Sequence, residues 1–355
     1  MDQITVDDID NISLGATLLG AGGGGDIFIA RLIARQALER HGPVPLVSAT
    51  ELDPEAWMLP VGYVGATTVL LEKIPNGSEA AAAIAALQRY MGIEAAAIMP
   101  VEVGGANTLI PIAVAAERGL PLVDADTMRR AFPEIQMTLL SAAGISATPM
   151  ALADAKGNGL VCETADNRAT EAIVRAAVVA MGYQAAASSY VVRAQQVVDH
   201  AVLGSVSYCA QIGQRIAAVQ AGRDDAWQEL LRFAEGTVLF RGKVVDVNRV
   251  TTNGFARAVI SLEGLSDPDR VLRVDAQNEN LVAVEDGRVL AVTPDLICFV
   301  DSETAMPISV ESVRYGMRLH VLALPCAERW KTEAGFALVG PRAFGYDIDY
   351  VEFTR

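Results

Sequence analysis

A run of glycines between two stretches of helical periodicity limits the structures that this chain can adopt more than any other feature does. The run begins two positions after Gly20, is followed at once by Asp26, and consists of Gly22, Gly23, Gly24 and Gly25. Apolar residues recur at three- and four-residue spacing over residues 6–19 and again over residues 27–38. The sequence therefore predicts a helix, a glycine loop and a second helix.

This order argues against a nucleotide fingerprint. Gly20, Gly22 and Gly25 match G-x-G-x-x-G, but that pattern binds a dinucleotide when it follows a strand. The acidic residue expected about 20 positions downstream is missing, and the chain has no G-K-[ST]. We therefore do not expect NAD or ATP as a cofactor. Two interpretations stay open: a tight packing corner between helices, or a loop that lines a pocket for a small anionic or carbonyl-bearing ligand.

Composition excludes several other classes. The 355 residues are 52% hydrophobic and carry a net charge of −15 without a dense basic cluster, so nucleic acid is not an expected partner. The apolar stretches are interrupted before they reach about 18 residues, and no membrane segment is predicted. The four cysteines form no C-x-x-C pair, and the acidic N-terminus lacks secretory-signal features. We expect a cytoplasmic protein.

The pattern along the chain changes near residue 236. Strand and helix signals alternate in the first half, which predicts a mostly parallel sheet covered on both faces. After Gly236 the chain reads as short Val-rich strands, typical of an antiparallel barrel or sandwich. The predicted divisions are an α/β domain, a helical connection, a β domain and a tail that returns towards the first domain: 1–165, 166–235, 236–325 and 326–355.

Polar side chains follow two of the predicted strands, and the carboxyl ends of parallel strands meet at one sheet edge. They are Glu102 with Gly104, Gly105 and Asn107 after the strand 95–101, and Asp124, Asp126, Arg130 and Glu134 at and after the strand 121–126. Neighbouring carboxylates supply acid or base groups, or bind a divalent metal. The alternative is that Asn107 and the two aspartates cap helices.

Three motifs resemble one known family over nearly the whole chain. They are "LGAGGGGD", "MPVEVGGANTLIPIAVAAERGLPLVDADTMRRAFPEIQM" and "VGPRAFGYD", and they are similar to those of the S-methyl thiohydantoin desulfurase-like family, found beside hydantoinases and oxoprolinases. The resemblance implies a three-layer α/β/α domain joined to a smaller β-barrel-like domain. It also implies a role in hydantoin-type ring metabolism, and it adds Arg342 and Tyr346 to the candidate site.

Our first hypothesis is an enzyme, expected as a homo-oligomer, that acts on a small cyclic amide or thioamide. The glycine loop and Asp26 would bind the ring, and Asp124, Asp126 or Glu102 would activate water or hold a divalent metal. Arg130 or Arg342 would orient a substrate carboxylate. The second hypothesis is a non-catalytic partner or ligand-binding subunit of a hydantoinase or oxoprolinase. Nucleotide binding by the loop is a weaker third.

Overall fold

The computed structural model describes residues 1–25, 27–65, 77–252 and 255–354. The α-helices in these ranges are α1 Ile9–Leu19, α2 Ile27–His41, α3 Glu79–Met91, α4 Ala106–Arg118, α5 Leu139–Ala142, α6 Asn167–Ala180, α7 Ala194–His200, α8 Ser205–Gln220, α9 Ala226–Phe233 and α10 Glu333–Val339. Within the described ranges, none of these helices is both long and apolar enough to cross a membrane.

The strands of the first half are short. They are β1 Gln3–Ile4, β2 Val44–Val47, β3 Trp57–Gly65, β4 Ala97–Pro100, β5 Leu122–Val123, β6 Ala125–Asp126, β7 Met150–Ala153, β8 Gly159–Cys162, β9 Gln184–Ser188, β10 Val192–Arg193 and β11 Val202–Leu203. Nine of them form one sheet in the order β1-β2-β5-β4-β3-β9-β7-β8, with β10 also paired to β3.

This sheet is mixed, which corrects the prediction of a mostly parallel one. The central pairs β2–β5, β5–β4 and β4–β3 are parallel, whereas β1, β9, β10, β7 and β8 all join antiparallel. A short turn, residues 154–158, connects β7 to β8, and so few residues can join only antiparallel strands. The helix-bearing crossovers that the sequence suggested are confined to the central strands.

The second half forms a separate antiparallel sheet of eight strands. They are β12 Thr237–Thr252, β13 Phe255–Gly264, β14 Val271–Gln277, β15 Glu279–Glu285, β16 Arg288–Val292, β17 Leu296–Asp301, β18 Pro307–Ile308 and β19 Arg318–Leu324. They pair in the order β16-β15-β14-β13-β12-β19-β17-β18. The prediction of an α/β part followed by a β part is confirmed, while three-layer packing and barrel closure stay predictions.

Helix α1 carries the glycine loop to the junction of the two halves. The thiol of Cys298 on β17 donates to the carbonyl of Leu18 at the end of α1, with Sγ 3.1 Å from the oxygen. On its other side α1 touches α8 closely, since a Cβ atom added to Gly15 would lie 1.9 Å from the Cys209 carbonyl oxygen. Helix α1 thus lies between helix α8 and the antiparallel sheet.

Candidate functional site

Helices flank the glycines as predicted, because α1 ends at Leu19 and α2 begins at Ile27. The loop between them mainly packs against other segments of the chain. The Gly22 carbonyl accepts from Val310 N at 2.9 Å and the Gly24 carbonyl from Ala106 N at 2.8 Å. A Cβ on Gly23 would lie 2.0 Å from Glu279 Oε1, and one on Gly24 would lie 2.6 Å from the Gly104 carbonyl oxygen. The packing-corner interpretation therefore accounts for most of the loop, and Asp26 lies outside the described residues.

A cavity of about 110 Å³ lies beside this junction. Gly24 reaches it from the glycine loop, and Asn278 and Glu279 reach it from the second half of the chain. Its other polar walls are Tyr63, Glu102, Asn107, Glu134, Thr138, Arg175, Gln184, Ser189 and Tyr190. Both halves of the protein therefore contribute residues to one pocket.

Glu102 is placed by Asn107. The Asn107 Nδ2 donates to Glu102 Oε1 at 2.8 Å and to the Tyr63 carbonyl at 3.1 Å, while its Oδ1 accepts from Tyr63 N at 2.6 Å. Asn107 is therefore not the N-cap of α4: Gly105 holds that position with a φ of +59°, and Gly104 lies just before it. The amide that the sequence suggested as a cap instead ties β3 to the carboxyl of Glu102.

Asp126 is buried behind the cavity wall. Its Oδ2 accepts three main-chain N–H groups, from Val103 at 2.9 Å, Met128 at 3.2 Å and Arg129 at 2.7 Å. Burial raises the pKa of this carboxyl to about 6 in spite of those bonds. Asp126 thus fastens the loop after β4 to the loop after β6 and holds the backbone next to Glu102.

Asp124 takes the capping role that the sequence analysis left open. Its Oδ1 accepts from Val206 N at 2.9 Å and Ser207 N at 3.0 Å, in the first turn of α8. Asp124 is not among the residues that line the cavity. Its carboxylate stabilises a helix start instead of facing a ligand.

Arg130 and Arg342 lie away from the cavity surface. Arg130 is 1% exposed, and its Nη1 donates to the carbonyls of Pro294 at 2.7 Å and Asp295 at 2.9 Å. Arg342 is exposed and forms ion pairs with Asp347 and Asp349 at 2.5 and 3.0 Å. Neither guanidinium meets the expectation that it binds a substrate carboxylate in this pocket.

Of the two remaining candidate residues, Glu134 lines the cavity and Tyr346 does not. Glu134 does line the cavity, and its Oε2 accepts from the side-chain amide of Gln136. Tyr346 is half-buried in an apolar cluster that includes Trp330 and Phe344. The structure therefore gathers Gly24, Glu102, Asn107 and Glu134 around one cavity and leaves Tyr346 in a packing position.

The cation that does face the cavity is Arg175 on α6. Its Nη2 lies 2.6 Å from Glu171 Oε1 and donates to the Pro133 carbonyl at 3.0 Å, and its guanidinium carbon is 4.8 Å from the centre of the Phe255 ring. Sequence reasoning missed Arg175 because one arginine on an amphipathic helix resembles an ordinary solvated residue.

Glu279, the first residue of β15, was also missed. It is 2% exposed, and within the described ranges its Oε2 has no hydrogen-bond partner. Asn278 before it has a left-handed backbone, with φ of +59°. A signal was present, since the polar run "QNEN" interrupts a Val-rich strand pattern. Buried polar groups normally have partners, so an unpartnered carboxyl oxygen at a cavity wall indicates a ligand-facing group.

Burial raises the pKa of two of the carboxyls that line the cavity, Glu102 and Glu279. Burial raises the pKa of Glu102 to about 8, although the hydrogen bonds from Asn107 and the Phe132 main chain favour the charged form. Burial also raises the pKa of Glu279 well above its usual range; the charge of Glu102 adds to this, and the charge of Arg130 opposes it. At neutral pH Glu102 is mostly protonated, and the pKa of Glu279 is shifted in the same direction.

This ionisation predicts a pH-dependent stability. Folded Glu102 keeps its proton up to a pKa of about 8, compared with an ordinary value of 4.5, so the folded state binds more protons between these pH values and loses stability as pH rises through them. Glu102→Gln removes this loss. We expect the variant to gain on the order of 4 kcal/mol relative to wild type between pH 5 and pH 9, measured by urea unfolding. Parallel pH dependences for the two proteins would contradict this assignment.

No metal cluster stands out in the parts of the chain described: nowhere in them do three His, Cys, Asp or Glu side chains come together as ligands. The charged and amide groups that line the cavity include Glu102, Glu134, Glu279, Asn107 and Arg175. They offer two buried carboxyls with raised pKa values and polar groups that can orient a small ring.

Comparison with known proteins gives matches to two family models, and the boundary between them lies within the first half of the chain. The model of the S-Me-THD-like N-terminal domain matches residues 7–164, and that of the S-Me-THD-like C-terminal domain matches residues 165–353. No curated protein matches the chain. A crystal structure of a protein from Chromobacterium violaceum superposes with a TM-score of 0.82 at 25% identity, over 99% of each chain. The chain is thus a member of the S-Me-THD-like family.

Proposed function

We propose that this protein is a hydrolase that removes methanethiol from an S-methyl thiohydantoin and leaves the hydantoin ring. One observation carries the proposal: two buried carboxyls with raised pKa values, Glu102 and Glu279, line one small cavity between the two halves of the chain. Enzymes often raise a carboxyl pKa in this way to keep an acid protonated near neutral pH. The family membership supports chemistry on a hydantoin-type ring.

The proposed reaction begins with Glu102 ionised and Glu279 protonated. Glu102 takes a proton from water, whose oxygen attacks the ring carbon that bears the methylthio group, while Glu279 gives its proton to the adjacent ring nitrogen. In the resulting tetrahedral intermediate, Glu279 takes the hydroxyl proton as the carbonyl forms. The carbon–sulfur bond breaks, and the sulfur receives the proton held by Glu102. One water is consumed, one methanethiol leaves, and both carboxyls return to their starting states.

The remaining walls would select the ring and its substituent. Asn107 holds Glu102 in place, and Gly24 allows the glycine loop to approach the ligand closely. We propose that Arg175 binds an anionic substituent of the substrate. The sequence analysis assigned this role to Arg130 or Arg342. All four cysteines are unpaired, which supports the proposal of a reducing, cytoplasmic compartment.

The test is methanethiol release from a simple S-methyl thiohydantoin, followed colorimetrically with and without added divalent metal ions. We expect saturable release by the purified protein alone. If the folded protein releases no thiol under any metal condition, the enzyme proposal fails for this substrate. A stable stoichiometric complex with a hydantoinase or oxoprolinase would then favour the partner-subunit hypothesis.

A further inference from the structure

Gln184 places a buried amide at the wall of the cavity. It is the first residue of β9 and lies opposite Gly65, the last residue of β3. Gln184 is 5% exposed and lines the cavity, and within the described ranges its Nε2 has no hydrogen-bond partner. Buried polar groups normally have partners, so this amide nitrogen, like the Oε2 of Glu279 in the same wall, indicates a group that faces a ligand.

The space beside Gln184 limits what that ligand can be. Gln184 borders the cavity of about 110 Å³ and also a second space of about 10 Å³, which has room for about one water molecule. Of the two, only the larger can hold a ring.

Three other side chains of the larger cavity have their donors engaged. The hydroxyl of Tyr63 donates to Glu79 at 3.3 Å, and that of Tyr190 donates to a main-chain carbonyl at 2.8 Å. The Asn107 amide uses both of its hydrogens, for a carboxyl and a carbonyl oxygen of the protein. The amide of Gln184, by contrast, has a donor to offer to a ligand.

An S-methyl thiohydantoin has an acceptor that the proposed reaction does not use. Water attacks C2, which bears the methylthio group, and Glu279 protonates a neighbouring ring nitrogen, whereas the carbonyl at C4 takes no part. This oxygen needs a donor when it leaves water, and an amide N–H supplies one. We infer that Gln184 binds the substrate by donating from Nε2 to the C4 carbonyl, and that it thereby selects rings that carry this carbonyl. The inference rests on the proposed function.

The binding test compares hydantoin, the proposed product, with imidazolidin-2-one, the same ring without the C4 carbonyl. Gln184→Met keeps the length of the side chain and removes the donor. Gln88→Met is the control, because Gln88 bonds Arg118 and does not line the cavity. By isothermal titration calorimetry, we expect Gln184→Met to weaken hydantoin binding about 10-fold and to leave imidazolidin-2-one binding nearly unchanged, and Gln88→Met to change neither. Gln184→Glu, which replaces the donor with an acceptor, should weaken hydantoin binding at least as much.

Turnover separates this role from the proposed function. The C4 carbonyl is unchanged by the reaction, so its hydrogen bond has the same strength in the substrate complex and in the transition state. We therefore expect Gln184→Met to raise KM about 10-fold with kcat nearly unchanged, whereas Glu279→Gln lowers kcat. If wild type releases no methanethiol but the Gln184 variants lose hydantoin binding alone, the proposed function fails and the binding role stands. A wild type that does not bind hydantoin, or Gln184 variants that weaken both ligands equally or neither, overturn the role of Gln184.

Discussion

Replacing Glu102 with Gln is expected to lower kcat/KM for methanethiol release by about 10³-fold. Gln keeps the oxygen that accepts from Asn107 Nδ2 at 2.8 Å, so the local packing is preserved while the base is lost. In wild type, kcat/KM should rise with pH through the Glu102 pKa of about 8, because the reaction needs the ionised form. The residual rate of the variant should lack that inflection.

The control variant for Glu102→Gln is Asp124→Asn. Asn retains an oxygen for the two N–H groups of α8 that Asp124 now binds, so we expect near wild-type turnover and stability. Glu279→Gln should reduce the rate as strongly as Glu102→Gln, because the proton donor is lost. If Asp124→Asn instead cost as much as Glu102→Gln, the base would be the aspartate that the strand pattern first suggested, and the cavity assignment would be wrong.

The alternation of strands and helices, the change to antiparallel strands near residue 236 and the helices around the glycine run could all be predicted from periodicity. The antiparallel edges of the first sheet could not be. Whether a short strand such as β9 joins parallel or antiparallel depends on where the preceding helix packs, and that information is not local.

Only part of the site could be predicted from the sequence, because the rest depends on tertiary packing. Strand ends identified Glu102 and Asn107, because parallel strands carry their carboxyl ends to one edge of the sheet. The same rule could not separate Glu102 from Asp124, since both follow strands and only tertiary packing decides which side chain caps a helix. Glu279 comes from the antiparallel half, 177 positions after Glu102 in the numbering. No local pattern connects two carboxyls at that separation.

The largest expected loss of stability comes from Gly105→Ala, at about 4 kcal/mol. Gly105 has φ of +59° and ψ of −144°, a combination that glycine tolerates far better than alanine. A Cβ there would lie 2.1 Å from the Gly24 carbonyl oxygen, and this oxygen is fixed by the bond from Ala106 N. The backbone atoms cannot move aside without separating the glycine loop from α4.

Gly119→Ala at the other end of α4 is the control for this effect. Gly119 also has a positive φ, +64°, but it is in the ordinary left-handed region and has nothing within 4 Å of its added Cβ. We expect a cost of about 1 kcal/mol there, measured for both variants by urea unfolding. A stable Gly105→Ala protein should also place Glu102 wrongly and lose turnover, whereas Gly119→Ala should not. Equal losses of stability would mean that the close approach of the two glycine segments, on which the shape of the cavity depends, is not a constraint in the folded protein.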